Sequence, residues 1–250
     1  MRGRLLAVDD VSFTVHPGEV FALLGPNGAG KTTVLRILST VLKPTSGIAM
    51  IDGLDVVENP AAVRRRIGFV SNNTAIYDRM TAEEMVRFFG RLHDLSGDEL
   101  DARVRTLVTS LRMEEFRDVV GGKMSTGMRQ KVSIARALVH DPPVLVFDEA
   151  TLGLDVLVAR NLMAVIRDLR DAGKCVLFST HIMSEVERLC DRVAVMHRGR
   201  ILDTGSPDEL ASRHRGDAFE DVFFELLAGH ESSNEHSIES EPVVATAGAR

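Results

Sequence analysis

The chain has 250 residues, of which 44% are hydrophobic, and this is enough to bury one large core or two modest ones. Its formal net charge of −6 argues against nucleic acid as a partner, because surfaces that bind phosphate backbones carry an excess of positive charge. No apolar run approaches the ~18 residues that span a bilayer, so we expect any membrane role to come through a partner subunit.

Short apolar runs of the β type alternate with helical stretches along the chain. The expected strands are "VFALL" (20–24), "IGFV" (67–70), "VLVF" (144–147), "CVLF" (175–178) and "RVAVM" (192–196). Helices are expected over residues 31–41, 125–139, 156–171 and 182–189. Continuous apolar strands suit a sheet that is covered on both faces, so this alternation predicts an α/β fold.

Four other segments complete the predicted architecture. Charged amphipathic helices without a strong strand predict an inserted helical subdomain of about residues 80–140. Residues 4–16 and 200–204 are typical of antiparallel edge strands, and helices are expected at "SPDEL" (206–210) and "FEDVFFELL" (219–227). The domain is predicted to end at residue 228. Residues 229–250 are predicted to be a disordered acidic tail, because residues 231–250 contain four Glu against one Arg and few aromatic or branched side chains.

The stretch "GPNGAGKT" (25–32) fits the pattern G-x-x-x-x-G-K-[ST] at every required position. It follows a predicted strand and opens a predicted helix. Its glycines let backbone N–H groups close around phosphate oxygens, and the helix N-terminus adds its dipole. Lys31 would then reach the β- and γ-phosphates of a nucleotide, and the Thr32 hydroxyl would ligate Mg²⁺. The alternative is a chance glycine-rich turn, which the flanking strand and helix disfavour.

Two core strands downstream end in polar residues. "VLVFDEA" (144–150) ends in Asp148, which could hold Mg²⁺ through water, and Glu149, which could polarise an attacking water as a general base. "FSTH" (178–181) places His181 at the end of another strand, within reach of a γ-phosphate. Alone, such residues are more often a solvated strand end and a surface histidine. Beside a phosphate loop, they favour an ATPase site.

Six segments in sequence order resemble the motifs of ABC transporter ATPase subunits. They are "GPNGAGKT", "IGFVSNN", "MSTGM", "VLVFDEA", "TLGLD" and "STH", similar to the phosphate loop, Gln-containing loop, signature, acidic strand, Asp-bearing loop and switch histidine. The wording of "STGMRQK" and "YDRMTAEE" is most similar to the NatA-type ATPases that serve ABC-2-type exporters. The resemblance covers residues 5 to about 228. It implies a P-loop NTPase core of the ABC-ATPase type, with an antiparallel β edge subdomain and an inserted α-helical subdomain.

The resemblance also implies a role for each matching residue. Glu149 would act on water, and His181 would contact the γ-phosphate and sense its loss. Asp155 would communicate across a dimer, and Ser125 and Gly127 would touch the γ-phosphate held by the other subunit. Mg²⁺ would be held by Thr32, Asn72 and Asp148. ATP would lie against Gly25, Pro26, Asn27, Gly28, Ala29, Gly30, Lys31, Thr32 and Thr33.

Four departures from the family pattern are visible. Asn72 stands where Gln is usual, the signature reads Met-Ser-Thr-Gly-Met instead of Leu-Ser-Gly-Gly-Gln, and Ala150 replaces a usual Pro. Arg2 stands near the place of an aromatic residue that stacks on adenine, and a preceding strand is missing. These last features lead to the hypothesis that the native protein begins about a dozen or more residues earlier.

By resemblance, the chain is expected to be a Mg²⁺-dependent ATPase that powers an exporter by ATP-dependent dimer closure. The expected partners are a second ATPase subunit and an ABC-2-type permease, with no nucleic acid. The expected location is cytoplasmic, on the inner face of the membrane. Two alternatives stay open: a soluble ABC ATPase that acts on ribosomes or DNA, and a truncated regulatory copy that does not hydrolyse ATP.

Overall fold

The computed structural model describes residues 6–71, 75–214 and 219–238. The strands in these ranges are β1 (Val20–Leu24), β2 (Met50–Ile51), β3 (Leu54–Asp55), β4 (Ile67–Ser71), β5 (Val144–Asp148), β6 (Cys175–Thr180), β7 (Arg192–His197) and β8 (Arg200–Gly205). The helices are α1 (Lys31–Leu38), α2 (Pro60–Arg66), α3 (Ala82–Leu92), α4 (Gly97–Ser110), α5 (Thr126–Leu138), α6 (Val156–Asp171), α7 (Met183–Leu189), α8 (Pro207–His214) and α9 (Phe219–Ile238). Short 3₁₀ turns lie at Glu114–Phe116 and Gly121–Lys123.

The central sheet of the described residues has the strand order β4-β5-β6-β1-β7-β8. All neighbouring pairs are parallel except β7 and β8. The register aligns Ser71 with Asp148, and Asp148 with Ser179. The parallel strands therefore bring their carboxyl ends to one edge of the sheet, where ligands of such folds bind.

Apolar side chains cover both faces of this sheet. Every residue of β1 and β5 is buried, as their uninterrupted apolar runs predict. One core cluster joins β5 and β6 to α3, α4, α5 and α6, and a second joins β1 and β5 to α1 and α2 on the other face. A third packs α7, α8 and α9 against β1 and β7. The predicted α/β fold is confirmed.

Helices α3, α4 and α5 occupy the range in which a helical subdomain is predicted. Helix α3 begins with a capping box, in which the Thr81 hydroxyl accepts from the Glu84 N–H and the Glu84 carboxylate accepts from the Thr81 N–H. Helix α3 packs against α4 and α5, which contribute apolar residues to the same core cluster. The subdomain is thus joined to the sheet through one continuous core.

Three segments differ from the sequence predictions. Residues 6–16 form no strand; the Asp9 N–H bonds to the Gly199 carbonyl at 2.8 Å, without a ladder beyond it. A two-stranded antiparallel pair lies at β2 and β3, where no strand is predicted. Helix α9 continues to Ile238, past residue 228, where the domain is predicted to end and the disordered tail to begin. The predictions for Arg2 and Asn72 lie outside the described residues.

Candidate active site

The loop between β1 and α1 is closely packed against the end of β7. A Cβ atom on Gly25 would lie 2.2 Å from the Met196 carbonyl oxygen, so only glycine fits there. Gly30 has a φ of 103°, which L-residues avoid, and it is the residue from which α1 starts. The Gly25 N–H donates to the Thr180 carbonyl at 3.3 Å, which joins the loop to β6. Two glycines and two neighbouring strands therefore hold the phosphate-loop conformation.

Lys31 is the buried cation of this loop. Its side chain is 3% exposed, and its Nζ donates to the carbonyl oxygens of Gly25 at 2.6 Å and Pro26 at 3.1 Å. The Glu149 Oε1 lies 3.4 Å from Nζ. Burial lowers the pKa of Lys31 below its ordinary value, and the neighbouring Glu149 carboxylate partly offsets this effect. A positive charge is thereby placed inside the loop, where an anionic ligand can use it.

A chain of hydrogen bonds joins the first turn of α1 to the ends of β5 and β6. The Thr32 hydroxyl donates to Asp148 Oδ1 at 3.1 Å, and the Ser179 hydroxyl donates to the same oxygen at 2.8 Å. Hydroxyl and carboxylate oxygens are the ligands that Mg²⁺ prefers. Among the described residues, no group of three or more His, Cys, Asp or Glu could hold a metal. The donor set fits Mg²⁺ that shares its coordination with phosphate oxygens.

Glu149 is held in an unusual backbone conformation directly after β5. Its φ of 46° lies in the left-handed region, which costs of order 1 kcal/mol for a non-glycine residue. Its N–H is within bonding distance of both the Ser179 carbonyl at 3.2 Å and the Ser179 hydroxyl at 3.0 Å. The carboxylate lies between Lys31 Nζ and His181 Nδ1, the latter at 3.8 Å. The fold thus places the Lys31 ammonium and the His181 imidazole beside the same Glu149 carboxylate oxygen.

The signature residues lie on a separate surface. Ser125 caps α5 by accepting from the Met128 N–H at 3.3 Å, and Asp155 caps α6 by accepting from the N–H groups of Leu157 at 3.0 Å and Val158 at 2.9 Å. Both caps are exposed. Within the described residues, no hydrogen bond or ion pair joins Ser125, Gly127 or Asp155 to the phosphate loop.

The α5 and α6 N-termini are packed against each other. A Cβ atom on Gly127 would lie 3.0 Å from Val158 Cγ2, so a small residue allows this approach. Val156 is 84% exposed and Leu157 is 70% exposed beside it. The two helix starts therefore form one surface with exposed cap residues and apolar side chains. We call it the signature surface, defined by Ser125, Gly127 and Asp155.

Comparison with known proteins identifies the family. The family model described as "ABC transporter" matches residues 8–152. The ABC transporter ATP-binding protein NatA of Bacillus subtilis (strain 168) is 43% identical over 222 residues, which is 88% of this chain and 90% of NatA. The chain belongs to the ABC transporter family. It is an ATP-binding, ATP-hydrolysing subunit, and the recognition made from its motifs is confirmed.

Other relatives agree with this assignment to the ABC family. The Nod factor export ATP-binding protein I of Cupriavidus metallidurans is 38% identical over 214 residues, covering 86% of this chain and 71% of that protein. A solved structure titled as an ATP-binding subunit of an ABC transporter superposes with a TM-score of 0.81 at 32% identity, covering 88% of this chain and 93% of the other. A dimeric ATP-binding cassette in a post-hydrolysis state with ADP and Pi gives a TM-score of 0.72 at 28% identity, covering 80% of this chain and 90% of that one.

The ABC ATPase fold brings most of the predicted site residues together. Lys31, Thr32, Asp148, Glu149 and His181 are linked by the contacts given above, whereas Ser125, Gly127 and Asp155 lie on the signature surface. Asn72, the predicted third metal contact, lies outside the described residues.

Ser179 is not among the predicted site residues, yet it bonds both Asp148 and the Glu149 backbone. The signal that could have found it is a polar residue, Ser179, near the end of an otherwise apolar buried strand. Among the described helices, none combines the length and apolar character needed to cross a membrane.

Proposed function

We propose that this ABC ATPase subunit powers an ABC-2-type exporter through ATP-dependent closure of two copies, with Mg²⁺ as cofactor. The observation that carries the proposal is the division of the predicted site into two parts. One part is assembled inside the chain around Lys31, Asp148 and Glu149. The other part, the signature surface, is exposed and not bonded to it. A second copy would complete each site.

In the assembled part, Lys31 and Thr32 bind the triphosphate end of ATP. The Lys31 ammonium exchanges its loop carbonyl contacts for β- and γ-phosphate oxygens, while the N-terminus of α1 adds its dipole. Thr32 and Asp148 would hold Mg²⁺, with Asn72 as the further predicted contact, and the ion would neutralise charge on the phosphates. This arrangement stabilises charge in a water-poor site, which is the main source of catalysis in phosphoryl transfer.

Glu149 and His181 supply the remaining chemistry. The Glu149 carboxylate orients the attacking water and accepts its proton, while Ser179 holds the Glu149 backbone in place. His181, 3.8 Å from that carboxylate, contacts the γ-phosphate and loses this contact after hydrolysis. The site therefore responds to the presence of a single phosphate group, as other phosphate-controlled switches do.

In the dimer, the signature surface of one copy faces the nucleotide of the other. Ser125 and Gly127 direct the N-terminus of α5 at the γ-phosphate, and Asp155 lies beside them at the start of α6. A relative is known as a dimer in a post-hydrolysis state bound to ADP and Pi, which supports this arrangement. The exposed Val156 and Leu157 would be buried by the second copy.

The permease is proposed to contact the surface where residues 75–80 meet α3. Tyr77 is 48% exposed, Phe88 is 37% exposed and Leu92 is 61% exposed there, and Tyr77 packs edge-on against Phe88. Exposed apolar residues close together are typical of a protein interface. The name of the Nod factor export relative supports an export role. We infer a cytoplasmic location on the inner face of the membrane, through the permease.

Substitution of Glu149 by glutamine tests this function. Glu149→Gln removes the proton acceptor but keeps the shape of the side chain, so the protein should bind ATP and accumulate as a closed dimer. We expect ATP turnover to fall by roughly 100-fold to 10,000-fold. Sedimentation with and without ATP would measure the dimer, and phosphate release would measure turnover.

The matched control is Glu115→Gln, because it makes the same Glu-to-Gln substitution at an exposed acid. This variant should hydrolyse ATP at the parent rate and show no accumulated dimer. Near-normal turnover in Glu149→Gln would overturn the assignment of the base. Loss of turnover without an ATP-dependent dimer would overturn the closure step.

A further inference from the structure

Glu185 is a buried acid that the proposed chemistry does not use. It lies in the first turn of α7 and is 5% exposed. Helix α7 packs against β1 and β6. In the part of the chain that the structure describes, no ion pair joins Glu185 to a cation. Its recorded side-chain partner is the Thr180 hydroxyl, which donates to Oε2 at 2.5 Å. Burial of an acid costs free energy unless hydrogen bonds or ion pairs compensate it, so the bond from Thr180 matters to both residues.

The Thr180 hydroxyl makes a second hydrogen bond, which spans His181. Its oxygen accepts from the Ile182 N–H at 3.0 Å, so one hydroxyl joins the residues on both sides of His181. The Glu185 N–H in turn donates to the Ile182 carbonyl at 3.2 Å. The chain from 180 to 185 is thereby closed by three bonds. Because His181 lies inside this closed turn, its backbone direction is set by the turn.

The direction of the Thr180 hydroxyl depends on Glu185. A hydroxyl has one proton and can rotate to suit its partners. The Glu185 carboxyl oxygen accepts the hydrogen bond from that hydroxyl, which leaves the hydroxyl lone pairs to accept from the Ile182 N–H. Without Glu185, the hydroxyl is free to rotate, and the Ile182 bond weakens. His181 would then lose its fixed position relative to Glu149.

We propose that Glu185 is a positioning residue, which acts through Thr180 to hold His181 at the γ-phosphate position. This inference rests on the proposed role of His181. Glu185 does not touch the substrate; it orients the group that does. The same turn also meets the phosphate loop, because the Gly25 N–H donates to the Thr180 carbonyl at 3.3 Å. A defect in the turn should therefore affect the rate of hydrolysis more than the fold.

Four single variants test the bonding chain. Glu185→Ala and Thr180→Val each remove the bond, and both should lower kcat by roughly tenfold to 100-fold, because a misplaced catalytic group loses on this order. Glu185→Gln and Thr180→Ser keep an acceptor and a hydroxyl, so they should retain kcat within about threefold. ATP affinity should stay within about threefold in all four. Glu187→Ala, at an exposed acid on the same helix, is the control and should keep the parent kcat.

Double variants separate positioning from a merely structural role. If Glu185 acts through His181, then His181→Ala and His181→Ala/Glu185→Ala should have the same residual rate, measured in single-turnover assays. A further rate loss of tenfold or more in the double variant would overturn the proposal. Equal kcat in Glu185→Ala and the parent would overturn it as well. Loss of kcat in Glu185→Gln equal to that in Glu185→Ala would also contradict the hydrogen-bond argument.

The same experiment distinguishes this inference from the proposed function. If His181→Ala keeps the parent rate, the proposed role of His181 fails, and the positioning proposal fails with it. If His181→Ala is slow but Glu185→Ala is not, only the positioning proposal fails. Thermal unfolding of each variant, compared with Glu187→Ala, shows whether a slow variant is folded. For a Glu185→Ala protein that unfolds before the assay temperature, kcat of all variants would be compared at a lower temperature at which each is folded.

Discussion

The phosphate loop and the signature surface differ in how their polar groups are satisfied. At the phosphate loop, Lys31 is almost fully buried and bonds to loop carbonyls, and Asp148 accepts two hydroxyl bonds. At the signature surface, Ser125 and Asp155 are exposed and bond to their own helices. In the first region, the polar groups are hydrogen-bonded to one another within the chain. The second is a set of helix starts open to a ligand from outside.

This difference shows what one chain can build by itself. The interior network can be preorganised because strands β5 and β6 align Asp148 with Ser179 in the sheet. The signature surface is preorganised too, by caps that fix the starts of α5 and α6, but its target is a phosphate on another copy. Removal of the phosphate-loop cation should therefore affect ATP binding, whereas variants of the signature surface should affect assembly.

Lys31→Ala should have the largest effect. It removes the buried cation of the phosphate loop, so ATP affinity should fall by at least roughly 100-fold and hydrolysis should be lost, because a charge-assisted contact in a water-poor site is removed. Calorimetric titration with ATP would measure this. Lys43→Ala, at an exposed lysine, should bind ATP like the parent protein. Unchanged affinity in Lys31→Ala would contradict the description of the loop.

Ser125→Arg should have an effect of a different kind. A long cation at the exposed start of α5 obstructs contact with a second copy but does not touch the phosphate loop of its own chain. We expect ATP affinity of the monomer within about threefold of the parent, and hydrolysis reduced by roughly 100-fold or more. Ser212→Arg, at an exposed serine of α8, is the control. Loss of ATP binding by the Ser125→Arg monomer would contradict the claim that Ser125 takes no part in ATP binding within its own chain.

Acidification should have the smallest effect, because it acts at a histidine outside both regions. His140 follows α5, its Nε2 lies 3.1 Å from the Ile67 carbonyl of β4, and its ring stacks on His93 at 3.5 Å. Burial, followed by the neighbouring His93, lowers the pKa of His140 to about 4. The unfolded chain takes up this proton near pH 6.5, but the folded chain resists it until about pH 4. Stability should therefore fall as the pH drops from about 6.5 towards 4.

We expect this loss to be about 1–2 kcal/mol, which is smaller than the full pKa shift implies because part of the His140 ring faces water. Urea unfolding at pH 7 and pH 5 would measure it. His140→Gln keeps a donor for the Ile67 carbonyl, and its stability should vary less between the two pH values. His16→Gln, at an exposed histidine, should behave like the parent. Identical pH dependence in parent and His140→Gln would contradict this account.

Much of the fold could be predicted because its signals are local. Helix α6 has the predicted bounds, since Asp155 caps it and a turn with Gly173 follows it. The strands β2 and β3 are two residues each, too short for any alternation to be visible. The strand-like sequence of residues 4–16 is misleading, because a strand also needs a neighbour with which to pair. Helix α9 runs past the predicted boundary because low hydrophobicity does not by itself prevent a helix.

The candidate site could be predicted as residue types but not as contacts. The pattern around Lys31 identifies a phosphate loop because its chemistry requires that spacing. The bonds of Ser179 to Asp148 and to the Glu149 backbone depend on strand register, which joins positions that are far apart in the chain. The Glu185–Thr180 bond likewise depends on how α7 packs against the sheet. Such contacts appear only when the tertiary structure is known.

A mixing experiment tests most directly the claim that each site is shared between two copies. Lys31→Ala subunits retain a normal signature surface, and Ser125→Arg subunits retain a normal phosphate loop. In a mixed dimer, one site would combine the two intact halves. We predict that the mixture hydrolyses ATP well above the sum of the separate proteins, with a maximum near equal amounts. Hydrolysis no greater than that sum, although mixed dimers are present, would contradict the account.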